Sequence, residues 1–126
     1  MNTSDIGRIG EKAAVRFLKK NHYKILEKNI HISHNEIDII AQNKDYVVFV
    51  EVKARSVTDI NDTDIIQSPA GAVTKEKQKR LITAARAFLS TYKKDRQPRF
   101  DVIEIFLDKQ TLKLIKINHI TNAFGA

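Results

Sequence analysis

Glu51 and Lys53 stand two residues apart at the end of Tyr46 to Arg55, the strongest strand pattern in the chain. Side chains alternate across a strand, so both point to one face while Val50 and Val52 point to the other. A charged pair closing an apolar strand reads in two ways. The strand has reached solvent there, or the charges serve a site, because buried charge is costly unless paired or bound to a metal. Asp38 adds a second carboxylate inside the short apolar run Ile37 to Ala41. If the two strands pair, Asp38 and Glu51 meet on one face. Two close carboxylates repel unless they share a proton or a cation. A hard divalent ion such as Mg²⁺, with Mn²⁺ as the second choice, takes oxygen ligands and can orient a water at a phosphate. Lys53 would then hold the water, offset charge developing on the phosphate, or act as base. The alternative for Asp38 is a turn cap or a surface ion pair.

Five further groups of residues accompany this pattern. Glu11 lies at the border of an apolar helical stripe, and is either an ordinary boundary residue or a carboxylate leaning toward the same site. Gln78 precedes Leu81 and Ile82 on an apolar helix face, where its amide is either a catalytic-site residue holding a water, a phosphate or a neighbouring carboxylate, or the partner of a nearby backbone group. Glu36 alternates with Asp38 at the strand start and is an outer residue of the site or turn polarity. Arg55, Lys75, Lys77, Lys79 and Arg80 offer phosphate contacts at the strand end and the start of the second helix. Arg8, Lys12, Arg16, Lys19 and Lys20 make a second basic surface on the first helix, ranked below the Lys75 to Arg80 cluster. The four histidines match no metal spacing. No glycine-rich phosphate loop is present.

The elements that must position these residues follow from periodicity. Asp5 to Lys20 is an amphipathic helix carrying Ile6, Ile9, Ala13, Ala14, Phe17 and Leu18 on one side, with Ser4 as N-cap and Asn21 as its end. Strands are predicted over Tyr23 to Ile32, Ile37 to Ala41 and Tyr46 to Arg55. Turns at Ser33-His34-Asn35 and Gln42 to Asp45 join them. Ser56 to Val73 is a long polar loop without a pattern. A second helix runs from Thr74 or Lys75 to about Lys93, followed by strands over Phe100 to Leu107 and Thr111 to Ile117. The tail from Asn118 reads as a helical turn or irregular. The expected fold class is α/β, a mixed sheet flanked by helices in the order α-β-β-β-α-β-β, in one domain over 1–126.

Composition bounds the function. The chain has 126 residues, 42% of them hydrophobic, no cysteine and a net charge of +7. The sequence pI of about 9.7 favours an anionic partner, with nucleic acid first among them. The missing cysteines exclude disulfides and thiolate chemistry. No apolar run has the length of a membrane span, and no signal peptide is visible, so a soluble cytoplasmic protein is expected.

Together these residues resemble the uncharacterised YraN, or UPF0102, family over nearly the whole chain. The resemblance rests on Gly10-Glu11 with Ala14, Glu36-Ile37-Asp38, Phe49-Val50-Glu51-Val52-Lys53 with Arg55, Lys77, Ala84-Ala85, Phe88-Leu89, Arg99-Phe100-Asp101-Val102 and Asn122-Ala123-Phe124. That family is similar to the PD-(D/E)XK nucleases, archaeal Holliday junction resolvases above all. The resemblance implies a restriction endonuclease-like core and a metal site of Glu11, Asp38 and Glu51, with Lys53 as catalytic lysine. Ile37 replaces the superfamily's usual proline and Asn35 the family's frequent glycine, and neither change removes a ligand. The resulting expectation is a nucleic-acid-binding protein with Mg²⁺-dependent endonuclease-type hydrolysis, on branched or damaged DNA by analogy, acting as a homodimer. The alternative is a non-catalytic binding or scaffold protein that keeps the fold.

Overall fold

The computed structural model describes residues 3–58 and 73–125. Its elements are α1 (Thr3–Lys20), β1 (Lys24–Ile32), β2 (Asn35–Gln42), β3 (Tyr46–Val57), α2 (Lys75–Leu89), β4 (Gln97–Asp108) and β5 (Leu114–Phe124). The expected element order and mixed α/β class are present. The five strands form one sheet in the order β1-β2-β3-β4-β5. Pairing is antiparallel except between β3 and β4, which run parallel from Tyr46↔Gln97 to Val57↔Asp108. A parallel pair needs a crossover, and α2 lies on that connection.

Each helix covers one face of the sheet. Ala14 and Leu18 of α1 bury against Ile39, Ala41, Val48, Val50, Ile103, Ile105 and Leu107. Leu81, Ala84 and Ala85 of α2 bury against Ile40, Val47, Phe49, Phe100 and Val102. The alternation Val48/Val50 against Val47/Phe49 gives β3 apolar residues on both sides, as a strand between two layers requires. Gly10 brings α1 close, because a side chain there would collide with the Cβ of Ala54 on β3.

Several boundaries differ from the sequence expectation. α1 already includes Ser4, so that residue does not cap it, while Asn21 does close the helix, its Nδ2 donating to Phe17 O at 2.8 Å. Ser33 and His34, both at positive φ (53° and 64°), make a tight β1–β2 hairpin turn, and β2 begins at Asn35. α2 ends at Leu89 rather than Lys93, with Ser90 as its cap. The tail after Asn118 is neither helical nor irregular: β5 continues to Phe124, and Ile120 and Phe124 pair with Val102 and Phe100. Of the expected 56–73 loop, Ser56 and Val57 belong to β3, and 59–72 lie outside the described residues.

Candidate nucleic-acid interface

The β2–β3 ladder stops at Ile39↔Val50. Beyond it the strands part, and the side chain of Asp38 takes over: its Oδ2 accepts from Val52 N–H at 2.8 Å. Glu51 follows on the face turned toward α2, with Lys53 beside it. The Lys53 ammonium is 3.5 Å from Glu51 Oε1; its side chain is 39% exposed, against 8% for that of Glu51. Glu51 Oε2 is buried without a hydrogen-bond partner. Asp38 lies close enough to Glu51 for its charge to act on that carboxyl.

Electrostatics follow from burial. Desolvation pushes the Glu51 carboxyl above its ordinary range, the Asp38 charge adds to this, and Lys77 and Lys53 oppose it. Desolvation likewise raises Asp38, against the bond from Val52 N–H and with Lys77 and Lys53 again opposing. Both carboxylates thus sense Lys77 of α2, which places the start of that helix over the sheet at this point. Glu11 is raised by burial first and by Asp38 next, with a hydrogen bond from the Asn29 side chain acting the other way. Asn29, at φ 50° inside β1, lies between the paired positions Lys28↔Ile39 and Ile30↔Ile37, across from Asp38. Asn adopts the left-handed region more readily than most residues.

The expected cation site is corrected here. Among the described residues no group of three or more His, Cys, Asp or Glu side chains is placed to hold a metal ion. The acids sense one another's charge, yet one oxygen of each faces a different donor, Val52 N–H at Asp38, the Lys53 ammonium at Glu51 and Asn29 at Glu11. Glu11, Asp38 and Glu51 are carboxylates of the kind Mg²⁺ or Mn²⁺ takes, but they are not gathered into one coordinating group.

The cationic side of the site is better assembled. Lys53, Val73, Thr74, Glu76, Lys77 and Arg80 line one open cleft of about 270 Å³. Thr74 caps α2, its Oγ1 accepting from Lys77 N–H at 3.1 Å, and Gln78 N–H donates to Thr74 O at 2.8 Å. Backbone N–H groups of a first helical turn have no partner within the helix and favour anions. Gln78 Nε2 donates to Val73 O at 2.8 Å, tying the residue before the cap to the helix. Arg80 also bonds Glu76 at 2.6 Å. Lys75 and Lys79 are exposed on the same first turns but do not line the cleft, and Arg55 lies over the Phe106 ring at 5.7 Å.

Sequence patterns did not single out Glu104 or the Arg99 network. Glu104 pairs across the ladder with Lys53 on one side and Asn118 on the other. It is 3% exposed, and its Oε2 has no partner. A buried glutamate at an apolar strand position is the only signal the sequence offered. Asp101 belongs to the opposite face. Arg99 donates to it from Nε and Nη2, His119 Nε2 lies 2.7 Å from its Oδ2, and Asn122 N–H donates to Oδ1. Arg99 also donates to the Tyr23 hydroxyl at 2.6 Å.

The comparisons agree with this architecture in extent. The profile of the Uncharacterised protein family UPF0102 matches residues 10–105, a span holding Glu11, Asp38, Glu51, Lys53 and the whole of α2. A UPF0102 protein of Caldanaerobacter subterraneus is 43% identical over 125 residues, covering 98% of both chains. One of Chlorobium phaeobacteroides is 44% identical over 124 residues, covering 95% of this chain and 94% of its own. One of Clostridioides difficile is 40% identical over 125 residues, covering 98% and 100%. On the matched residues and on these full-length relatives, the chain belongs to the UPF0102 family.

Proposed function

We propose that this protein binds nucleic acid through its phosphate backbone, at the cleft where β3 meets the start of α2, and does so without turnover. The observation that carries this reading is the convergence of Lys53, Lys77 and Arg80 on one open cleft at a capped helix start. Three cations from two elements supply phosphate contacts, and Arg55, Lys75 and Lys79 extend the basic surface around them. Asp38 and Glu51 stand behind Lys53 and Lys77, and Glu51 holds the Lys53 ammonium at 3.5 Å. Kinship with the PD-(D/E)XK nucleases supports a nucleic-acid partner; hydrolysis through a cation held by Glu11, Asp38 and Glu51 is not carried forward, since those side chains do not assemble one.

Fluorescence anisotropy with labelled duplex, junction and single-stranded oligonucleotides tests the reading. Affinity is expected to fall linearly with log salt, to persist in EDTA, and to leave the strands at full length. Lys77→Gln and Arg80→Gln should each reduce the salt slope by about one phosphate contact, with little change in base preference. Unchanged slopes in both folded variants, or no salt-sensitive binding by the wild type, would sink it.

A further inference from the structure

A second surface lies on the opposite face of the sheet, along α1. Arg8, Lys12, Arg16 and Lys20 fall at steps of four residues, so they form one basic ridge that winds gradually about the helix. Beside it, at the same step, runs the apolar row Ile9, Ala13 and Phe17. Leu107, Leu112, Leu114 and Ile117, from β4, β5 and the turn between them, complete a groove of about 480 Å³ with these helix residues. Leu114 is 50% exposed, one of the two large apolar side chains that the described surface leaves open. Arg8 shares a surface contact with Asp5 at 3.8 Å, whereas Lys12, Arg16 and Lys20 have no ion-pair partner among the described residues.

We infer that this groove docks an acidic amphipathic helix of a partner protein. Its apolar stripe seats on Ile9, Ala13, Phe17 and Leu114, and its carboxylates align with the Arg8-Lys12-Arg16-Lys20 ridge. An amphipathic helix carries an apolar stripe and a flanking row of carboxylates together, which is what a groove with an apolar floor and a basic wall receives. The ridge covers about 18 Å, or three turns of helix. Charge selects against a second copy of this chain, whose net charge is +7. The apolar floor selects against nucleic acid, whose phosphates would use the ridge and leave Leu114 and Ile117 uncovered. Helix-in-groove recognition of this kind depends on apolar anchors for affinity and on flanking charge for orientation.

The test uses the full chain and a lactam-bridged helical peptide of about four turns, with leucine on one stripe and glutamate along its flank. Amide chemical-shift mapping should place the peptide on α1 and on Leu114 to Ile117. Leu114→Ser, and separately the Lys12→Glu/Arg16→Glu pair, should each weaken it by about tenfold or more. Lys77→Gln/Arg80→Gln should leave peptide affinity unchanged, which separates this surface from the nucleic-acid cleft. Equal binding of a peptide with serine in place of leucine would overturn the proposal by reducing the groove to a charged strip. Displacement of the peptide by duplex or single-stranded DNA, with loss of DNA binding in the Lys12→Glu/Arg16→Glu variant, would overturn it in favour of a second nucleic-acid surface.

Discussion

Glu51 and Asp101 are both buried carboxylates on central strands, yet their surroundings act on them in opposite senses. At Glu51 desolvation and the Asp38 charge outweigh Lys77 and Lys53, so the folded carboxyl titrates above its ordinary range. A group raised in this way favours the fold at low pH and loses that contribution as pH climbs through the folded value. At neutral pH its ionisation therefore opposes folding. Glu51→Gln, which keeps the shape and removes the charge, is expected to stabilise the protein by about 1 kcal/mol, raising Tm by about 4 °C at neutral pH. The gain should shrink toward acid, and thermal denaturation across pH checks it; a variant less stable at pH 7 would contradict the charge balance described. At Asp101 burial again opposes the charge, but hydrogen bonds from His119, Arg99 and Asn122 N–H overcome it and hold the carboxyl below the usual range. Its contribution is full above the ordinary carboxylate range and is lost as pH falls through the lower folded value. Asp101→Asn should cost about 3 kcal/mol, because it strands Arg99 and His119 in a nearly closed site, and chemical denaturation measures this. The two acids could not be told apart from their neighbours in sequence. Glu51 and Asp101 each sit among valines and isoleucines, and only the partners brought from β5 and α2 distinguish a support from a strain.

At the scale of elements, α1 and α2 approach the sheet by different means. α1 reaches β3 where Gly10 meets Ala54, with no room for a methyl group between them. Gly10→Ala improves helix propensity by about 1 kcal/mol, yet it is expected to destabilise the protein by about 1–3 kcal/mol net, because the helix must lift from the strand. Denaturant titration reads the sign. The same lift would carry Glu11 away from Asn29. Helix and strand identity followed from periodicity wherever one face is buried: Ile9, Ala13 and Phe17, and then Val47 to Val52, declare their elements directly. The ends were less visible. β5 extends past Asn118 because Ile120 and Phe124 find partners on β4, and the register shifts that allow this come from tertiary pairing rather than local preference. α2 stops at Leu89, short of the expected Lys93, and Tyr92 donates its hydroxyl to Gln42 Oε1 at 2.8 Å, fastening the connection to β2.

Across the whole molecule, one mixed sheet separates two basic surfaces. The cleft of Lys53, Lys77 and Arg80 opens on the α2 side, and the ridge of Arg8, Lys12, Arg16 and Lys20 rises on the α1 side. Among the described residues no helix is long and apolar enough to cross a membrane. The amino-acid sequence by itself determined the α/β class, the order of elements, the central position of β3 and the placement of Asp38, Glu51 and Lys53 in one neighbourhood. It could do so because alternation and helical periodicity are local, and a buried face leaves its mark on every turn or pleat. Family membership, too, was written in residues spread along the chain. Tertiary structure alone decided how oxygens and cations are shared. Whether three carboxylates make a metal site depends on where their oxygens point, and Val52 N–H, Lys53 and Asn29 turn them to separate partners. The buried Glu104 beside Lys53, the anchoring of Asp101 by His119, and the groove between α1 and Leu114 are likewise contacts between residues far apart in sequence. Spacing along a chain constrains which face a side chain takes, but not which distant donor arrives to meet it.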